Sequence, residues 1–312
     1  MPDHKPDIPH VIDRHLVDTS LEPRPIGVTT DESRAATAAA TEGLPLVEFS
    51  GTTNPYIDYQ FVDILHSLQQ PRSDAYDERC FIVMGQVKEL LFSGLHFELH
   101  NARVLVDADR VAEAIVVLER AGAFVDYLTA SWNVLETITA EGFAQFRDQL
   151  STASGQQSFM YRHVEFVLGN KSRELAEAHR NVPHVWPAIE RALNTPSLYD
   201  RVIAYLARSG HPIDDAALRR DWAEPYQANT SVEEAWFEVY RDPSPSNVAY
   251  RLAEALLALD EKFSTYRWRH FRSVEKTIGL KPGTGGSSGV GWLQHVTGHR
   301  FFPELWSLRN RL

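Results

Sequence analysis

The chain has 312 residues, 43% hydrophobic and 23% charged, the proportions of a soluble globular protein long enough to bury a substantial core. Its formal net charge of −11, with no strong basic block to offset it, excludes general nucleic-acid binding. Its one cysteine, Cys80, excludes an internal disulfide framework and any multi-cysteine zinc or iron–sulfur site.

Residues 1–50 read as an N-terminal arm, partly disordered. Pro2, Pro6, Pro9, Pro23 and Pro25 alternate with charges, and the run Ala35–Ala40 is short and weakly patterned. Asp3, Asp7 and Asp13 suit neither a secretory signal nor a transit peptide, so the expected location is cytoplasmic. No run approaches the roughly eighteen apolar residues of a membrane span.

Ordered structure is expected from near Tyr56, and residues 51–312 form the expected catalytic domain. From Glu78 to about Arg103, Phe81, Leu90, Leu91, Leu95 and Leu99 recur at near-helical spacing. Val104 to Ile138 continues the apolar periodicity, with a break expected at Gly122. Tyr199–Ala207 and Val232–Tyr240 read as shorter helices. Val248 to Ile278 is the longest, with Leu252, Leu256, Leu259, Phe263, Tyr266, His270 and Val274 stepping by three or four. Strand-like alternation is nearly absent, so the predicted fold is all-α, a single-domain bundle of long helices.

His270 shares the apolar face of that last helix, and a buried imidazole needs partners for both ring nitrogens. Two readings follow: a core histidine hydrogen-bonded to a carbonyl or carboxylate, or an axial haem ligand with its second nitrogen held by an outer acceptor. Arg267, Arg269 and Arg272 flank it and suit haem propionates, although arginines on a helix also serve as a solvated face. His96 and His100, at i,i+4, have the spacing of a metal pair but no HExxH pattern, and read as a solvated helix face.

Gly283–Gly289 is neither a P-loop, whose GxxxxGK[ST] spacing is missing, nor a dinucleotide fingerprint, because Ser288 stands where the last glycine of GxGxxG belongs. The aromatic residues that follow it (Trp292, Phe301, Phe302, Trp306) argue against a plain linker. Its amides and the Thr284 hydroxyl suit an amino-acid ammonium or carboxylate, on a loop expected to be mobile when empty.

Several segments, in order and spanning about Tyr56 to Trp306, resemble tryptophan 2,3-dioxygenases. They are the tyrosine pair Tyr56 and Tyr59; Glu78–Leu90, similar to the helix above the haem; Phe143-Ala144-Gln145-Phe146-Arg147 with Ala153–Ser158; Leu198-Tyr199-Asp200; Ala235-Trp236 with Val239-Tyr240; and Tyr266–His270 followed by GTGGSSG. The resemblance implies a haem b enzyme acting on an aromatic amino acid with O₂ or peroxide, assembled as a homotetramer. It implies His270 as the proximal iron ligand, with Trp268 and Arg269 beside the cofactor. Arg147 would bind the substrate carboxylate and Thr284 the amino-acid backbone. Phe81 and Phe143 would wall the ring, Ser154 and Gly155 would lie on the distal side, and Tyr56 and Tyr59 would reach a neighbouring subunit's pocket.

The chain departs from that pattern at four places. Gly85-Gln86 replaces the family's HQ pair, Gln156 replaces the aromatic residue of SGFQS, Gln60 follows the tyrosine pair, and Leu91 stands where a tryptophan is usual. Without a histidine at Gly85 the indole N–H loses an acceptor worth about 1 kcal/mol net. The expected function is therefore a haem-dependent oxygenase of tryptophan or a substituted, for example methylated, tryptophan, giving a monooxygenated 2-oxindole in a natural-product pathway. The alternatives are ordinary ring opening to N-formylkynurenine, a tyrosine-type aromatic hydroxylase, and a non-catalytic haem sensor.

Overall fold

A computed structural model describes residues 21–47, 49 and 54–312. The chain separates into two compact units, residues 19–71 and a larger one from Arg72 to Leu312. The first twenty residues of the expected arm lie outside the described residues.

In the smaller unit, α1 (Asp31–Ala40) lies within the arm expected to be partly disordered. The chain forms a helix there because Thr30 and Ser33 make a reciprocal capping box and alanine dominates the following turns. Helix α2 (Pro55–Gln60) is started by the Asn54 side chain, which accepts from the Tyr56 N–H at 2.9 Å, and by Pro55 in the first turn. Phe61, at φ 52°, breaks it from α3 (Val62–Ser67). Arg24 donates to Asp63 at 2.9 Å and to Asp58 at 3.4 Å.

The larger unit is built on α4 (Tyr76–Asp107), α5 (Val111–Ala130) and the short α6 (Trp132–Leu135) and α7 (Ala140–Phe146). They are followed by α8 (Phe159–Leu168), α9 (Arg173–Glu177), α10 (Trp186–Leu193) and α11 (Leu198–Arg208). The chain closes with α12 (Asp215–Leu218), α13 (Thr230–Tyr240), α14 (Val248–Ile278), α15 (Val290–Thr297) and α16 (Pro303–Ser307). The described residues contain no β-strand, so the all-α expectation holds. Helix α5 packs against both α4 and α14, while α8 and α11 also pack on α4. Leu95, Leu99, Ala102 and Val106 of α4, Ala114, Ala121 and Val125 of α5 and Leu252, Leu256 and Phe263 of α14 meet in one fully buried core. Apolar area removed from water at about 25 cal/mol per Å² is what holds these helices in place.

The expected break at Gly122 is not there. The turn lies between α4 and α5 at residues 108–110, where Asp109 takes φ 59°. Gly122 is buried in mid-α5, and a Cβ on it would stand 3.3 Å from Cδ and Cε of Lys262 on α14. It serves a close helix approach, which a breaker reading of glycine misses. Two buried carboxylates tie down the C-terminal segment. Glu304 accepts from the hydroxyls of Tyr199 (2.8 Å) and Tyr226 (2.5 Å) and from the Asn229 N–H (2.8 Å). Asp260 accepts from Phe301 N–H (3.1 Å) and Trp306 Nε1 (2.9 Å).

Candidate haem and amino-acid site

Helix α14 presents His270 toward α6, where its imidazole stacks on the Trp132 indole with centroids 4.6 Å apart and planes 18° apart. Tyr266, one turn earlier, stands 6.3 Å from the same indole. His270 is half-buried, and neither ring nitrogen has a hydrogen-bond partner among the described residues. Burial, and then the charge of Lys88, push its pKa down to about 3, so the ring is neutral at physiological pH. Lys88 comes from α4 and places Nζ 2.9 Å from the centroid of the Trp132 ring. It is buried, and burial alone pushes its amine down to about 6. The Trp132 indole N–H is buried without an acceptor.

One turn before Lys88 on α4 is Gly85, and no heavy atom lies within 4 Å of where its Cβ would stand. A turn earlier again, Phe81 packs on Phe143 (5.8 Å) and Phe146 (5.4 Å), and those two meet edge to face at 5.2 Å. Phe146 is followed directly by Arg147, whose Nη2 donates to the Pro282 carbonyl at 2.6 Å. The Thr284 hydroxyl donates to the Ala153 carbonyl at 2.5 Å. Gly285 sits so close over Ser154 that a Cβ on it would lie 2.6 Å from the serine Cβ. The glycine loop is thus seated on the Arg147–Ser154 segment. Ser154 Oγ caps the short 3-10 turn Gly155–Gln157, and no heavy atom lies within 4 Å of a Cβ built on Gly155.

The structure therefore brings Phe81, Phe143, Arg147, Ser154 and Thr284 into one continuous set of contacts, and His270 together with Trp132 and Lys88. It gives the arginines beside His270 protein partners. Arg269 donates to Asn133 (2.8 Å) and Glu136 (3.0 Å), and Glu136 also accepts from Ser273 Oγ at 2.6 Å. Arg267 donates to the His299 carbonyl at 3.1 Å and lies over the Phe301 ring, and Arg272 pairs with Glu275. Trp268 is 54% exposed and packs on Phe271 at 5.3 Å. Tyr56 and Tyr59, on α2 of the smaller unit, are 63% and 72% exposed.

The solvated-face reading of His96 and His100 is corrected. The His96 ring lies 5.3 Å from that of buried His163 on α8, and burial first, then its histidine neighbours, push its pKa well below normal. The reason is that α8 packs over this part of α4. Among the described residues no group of three or more His, Cys, Asp or Glu can hold a bare metal ion.

Sequence reasoning missed Trp132, Glu136 and Phe146 as site neighbours, and Lys88 as a site residue. Lys88 left a legible signal: positions 81, 85, 88, 92, 95 and 99 form one stripe, and a lysine there interrupts apolar side chains. Trp132 left none, since it opens the four-residue α6, too short to show a period, in a chain with seven tryptophans.

A neutral imidazole without a partner, an indole N–H without an acceptor and open space on the facing helix suit a planar cofactor whose metal takes one histidine nitrogen. That arrangement lies in an all-α bundle, beside an arginine and a glycine loop. The family profile for tryptophan 2,3-dioxygenase matches residues 40–312. Tryptophan 2,3-dioxygenase 1 of Ralstonia nicotianae is 42% identical over 82% of this chain and 87% of its own length. The tryptophan 2,3-dioxygenases of Cupriavidus necator (41%, covering 90% of this chain and 96% of that protein) and Caulobacter vibrioides (42%, covering 82% and 98%) are similarly related. The chain belongs to the tryptophan 2,3-dioxygenase family. No helix among the described residues is long and apolar enough to cross a membrane.

Proposed function

We propose that this protein is a haem b-dependent oxygenase that opens the indole ring of tryptophan to N-formylkynurenine, with O₂ as oxidant. Relatives that carry the tryptophan 2,3-dioxygenase name, at 41–42% identity over most of the chain, favour ring opening over the monooxygenation expected from Gly85. The observation that carries the reading is His270, a neutral, unpartnered imidazole held in plane by Trp132.

Haem, when bound, supplies the redox chemistry with dioxygen, and the chain supplies position and electrostatics. A ring nitrogen of His270 would take the iron, and stacking on Trp132 fixes the imidazole plane. Arg147 uses only Nη2 on Pro282 in this structure, which leaves its other guanidinium N–H groups for a substrate carboxylate. The Thr284 hydroxyl, now bonded to the Ala153 carbonyl, would exchange that bond for the amino-acid backbone. Phe81 and Phe143 would wall the indole. Ser154 and Gly155 would lie beside the haem edge. Arg269, with Trp268 next to it, would act through Glu136 by bracing α14 against α6. Tyr56 and Tyr59, exposed on their own unit, would complete the pocket of a neighbouring subunit in a homotetramer.

A second reading is favoured by the open space at Gly85, which admits a methylated tryptophan and monooxygenation to a 2-oxindole. The test is to load the chain with haem, reduce it, and follow N-formylkynurenine from tryptophan in air. Wild type should bind one haem per chain and form product. His270→Ala should keep the helical fold and lose both. Stoichiometric haem with an unchanged spectrum in His270→Ala would remove His270 as the ligand, and no N-formylkynurenine from haem-loaded wild type would overturn the ring-opening reading.

A further inference from the structure

Helix α5 turns one face to the core and leaves the other exposed. Val117, Leu118, Ala121, Val125 and Leu128 are buried, as an amphipathic helix requires. A solvated outer face should then be polar, yet Ala112, Val116, Ala123, Tyr127 and Ala130 lie exposed along it, and Val134 continues the line on α6. Val116 is 62% exposed and Tyr127 69%. With Arg120 among them, positions 112, 116, 120, 123, 127, 130 and 134 step by three or four, the spacing of a seam between packed helices. Ala123, in the middle of the stripe, is small enough to let a second helix come close.

The face is complementary to itself. About a two-fold axis at Ala123, an antiparallel second α5 sets Arg120 against Asp126, Glu119 against the Tyr127 hydroxyl, and Val116 against Ala130. Ala130 lines a groove of about 620 Å³ between α5 and α14, together with Thr129, Ala258 and Thr265, and this groove would receive the valine. Within its own chain Arg120 donates from Nη2 to Glu98 at 2.9 Å, and Asp126 pairs with Lys262. The contact therefore makes a row of alternating charge, Glu98 and Arg120 of one copy, then Asp126 and Lys262 of the other. A parallel arrangement would set Arg120 on Arg120 and Asp126 on Asp126, which like-charge repulsion opposes.

We propose that this face of α5 docks a second copy of the same chain, packed antiparallel with Ala123 on the two-fold axis. The pairing deepens the homotetramer of the functional reading by naming one of its surfaces, and it rests on that assembly and not on haem.

The experiment uses full-length, haem-loaded protein. Sedimentation velocity of wild type is compared with that of Ala123→Glu, which sets two carboxylates face to face on the axis. Position 123 is exposed, so this variant should keep the helical circular dichroism of wild type. In a second variant, Cys80→Ser with Ala123→Cys, the introduced thiols meet across the axis within the Cα separation of about 4.4–6.8 Å that a disulfide spans. The proposal expects wild type to sediment as an assembly, Ala123→Glu to halve its mass, and mild oxidation to link most chains of the second variant into disulfide dimers. A monomeric wild type, an Ala123→Glu protein of unchanged mass, or absence of the linked dimer overturns the α5 surface. Should Ala123→Glu lose its helical signal, the disulfide decides alone. Haem content, read on the same samples, tests the functional reading separately.

Discussion

Gly285→Ala gives a sharp test of how the glycine loop is seated. A Cβ at position 285 would stand 2.6 Å from Ser154 Cβ and 2.9 Å from its Oγ, whereas carbon atoms pack at about 3.5–4.0 Å. The loop must therefore lift by roughly 1 Å, because the first atom it meets is a Cβ that cannot swing away. Lifting by that amount stretches the Arg147–Pro282 bond from 2.6 Å and the Thr284–Ala153 bond from 2.5 Å to the edge of hydrogen-bonding range. Each such bond contributes about 0.5–1.5 kcal/mol net, so losing both shifts the seated population by about 1–3 kcal/mol, or roughly 5- to 150-fold. Hydrogen exchange at the amides of residues 283–289 should accelerate by that factor, and the dissociation constant for tryptophan should rise in proportion, with haem content unchanged. Exchange and affinity both equal to wild type would show that the loop is not held by these contacts.

Three further outcomes follow from the same geometry. Arg147→Lys keeps the charge but loses the fork, so tryptophan affinity, measured by calorimetry on haem-loaded protein, should fall about tenfold or more; an unchanged constant would take Arg147 out of the site. Gly85→His has room for its side chain and restores an acceptor for the indole N–H, so tryptophan should bind tighter by about 1 kcal/mol, roughly fivefold; weaker or equal binding would show that position 85 does not face the indole. His299 is pushed down to about 4 by burial, then by Arg267 and Arg300. Between its unfolded value near 6.5 and about 4, the unfolded chain binds a proton that the folded chain does not. Stability therefore falls as pH drops through that window, by up to about 1 kcal/mol per unit from this group. His299→Leu should flatten the urea-unfolding profile there, and an unaltered slope would contradict the assignment.

How much was legible before the structure depended on what each residue type signals locally. The boundaries of α14 follow from its apolar stepping and agree with the structure at both ends, Val248 and Ile278. The break expected at Gly122 is absent because that glycine serves packing inside α5, and the turn that separates α4 from α5, at Asp109 with positive φ, lies a few residues beyond the Arg103 end read from the periodicity. Helix α1 was overlooked because its stability is local, from a capping box and alanines, with no buried face to give a period. In the site, motif residues close in sequence, such as Phe143 and Arg147, could be grouped by eye. Trp132, Glu136 and the outward course of Trp268 are products of tertiary packing between α6 and α14, and nothing in their immediate sequence marks them. Arg269 was read as a cofactor contact from its place beside His270, and its partner Glu136 lies over a hundred positions away.

The central claim is that the chain opens the indole ring with dioxygen at a haem held by His270. The most direct test is to reduce the haem-loaded protein, add tryptophan under ¹⁸O₂, and weigh the product. The account predicts N-formylkynurenine carrying two labelled oxygen atoms, absent from His270→Ala. A product carrying a single labelled oxygen, or unaltered tryptophan from fully haem-loaded protein, would contradict it.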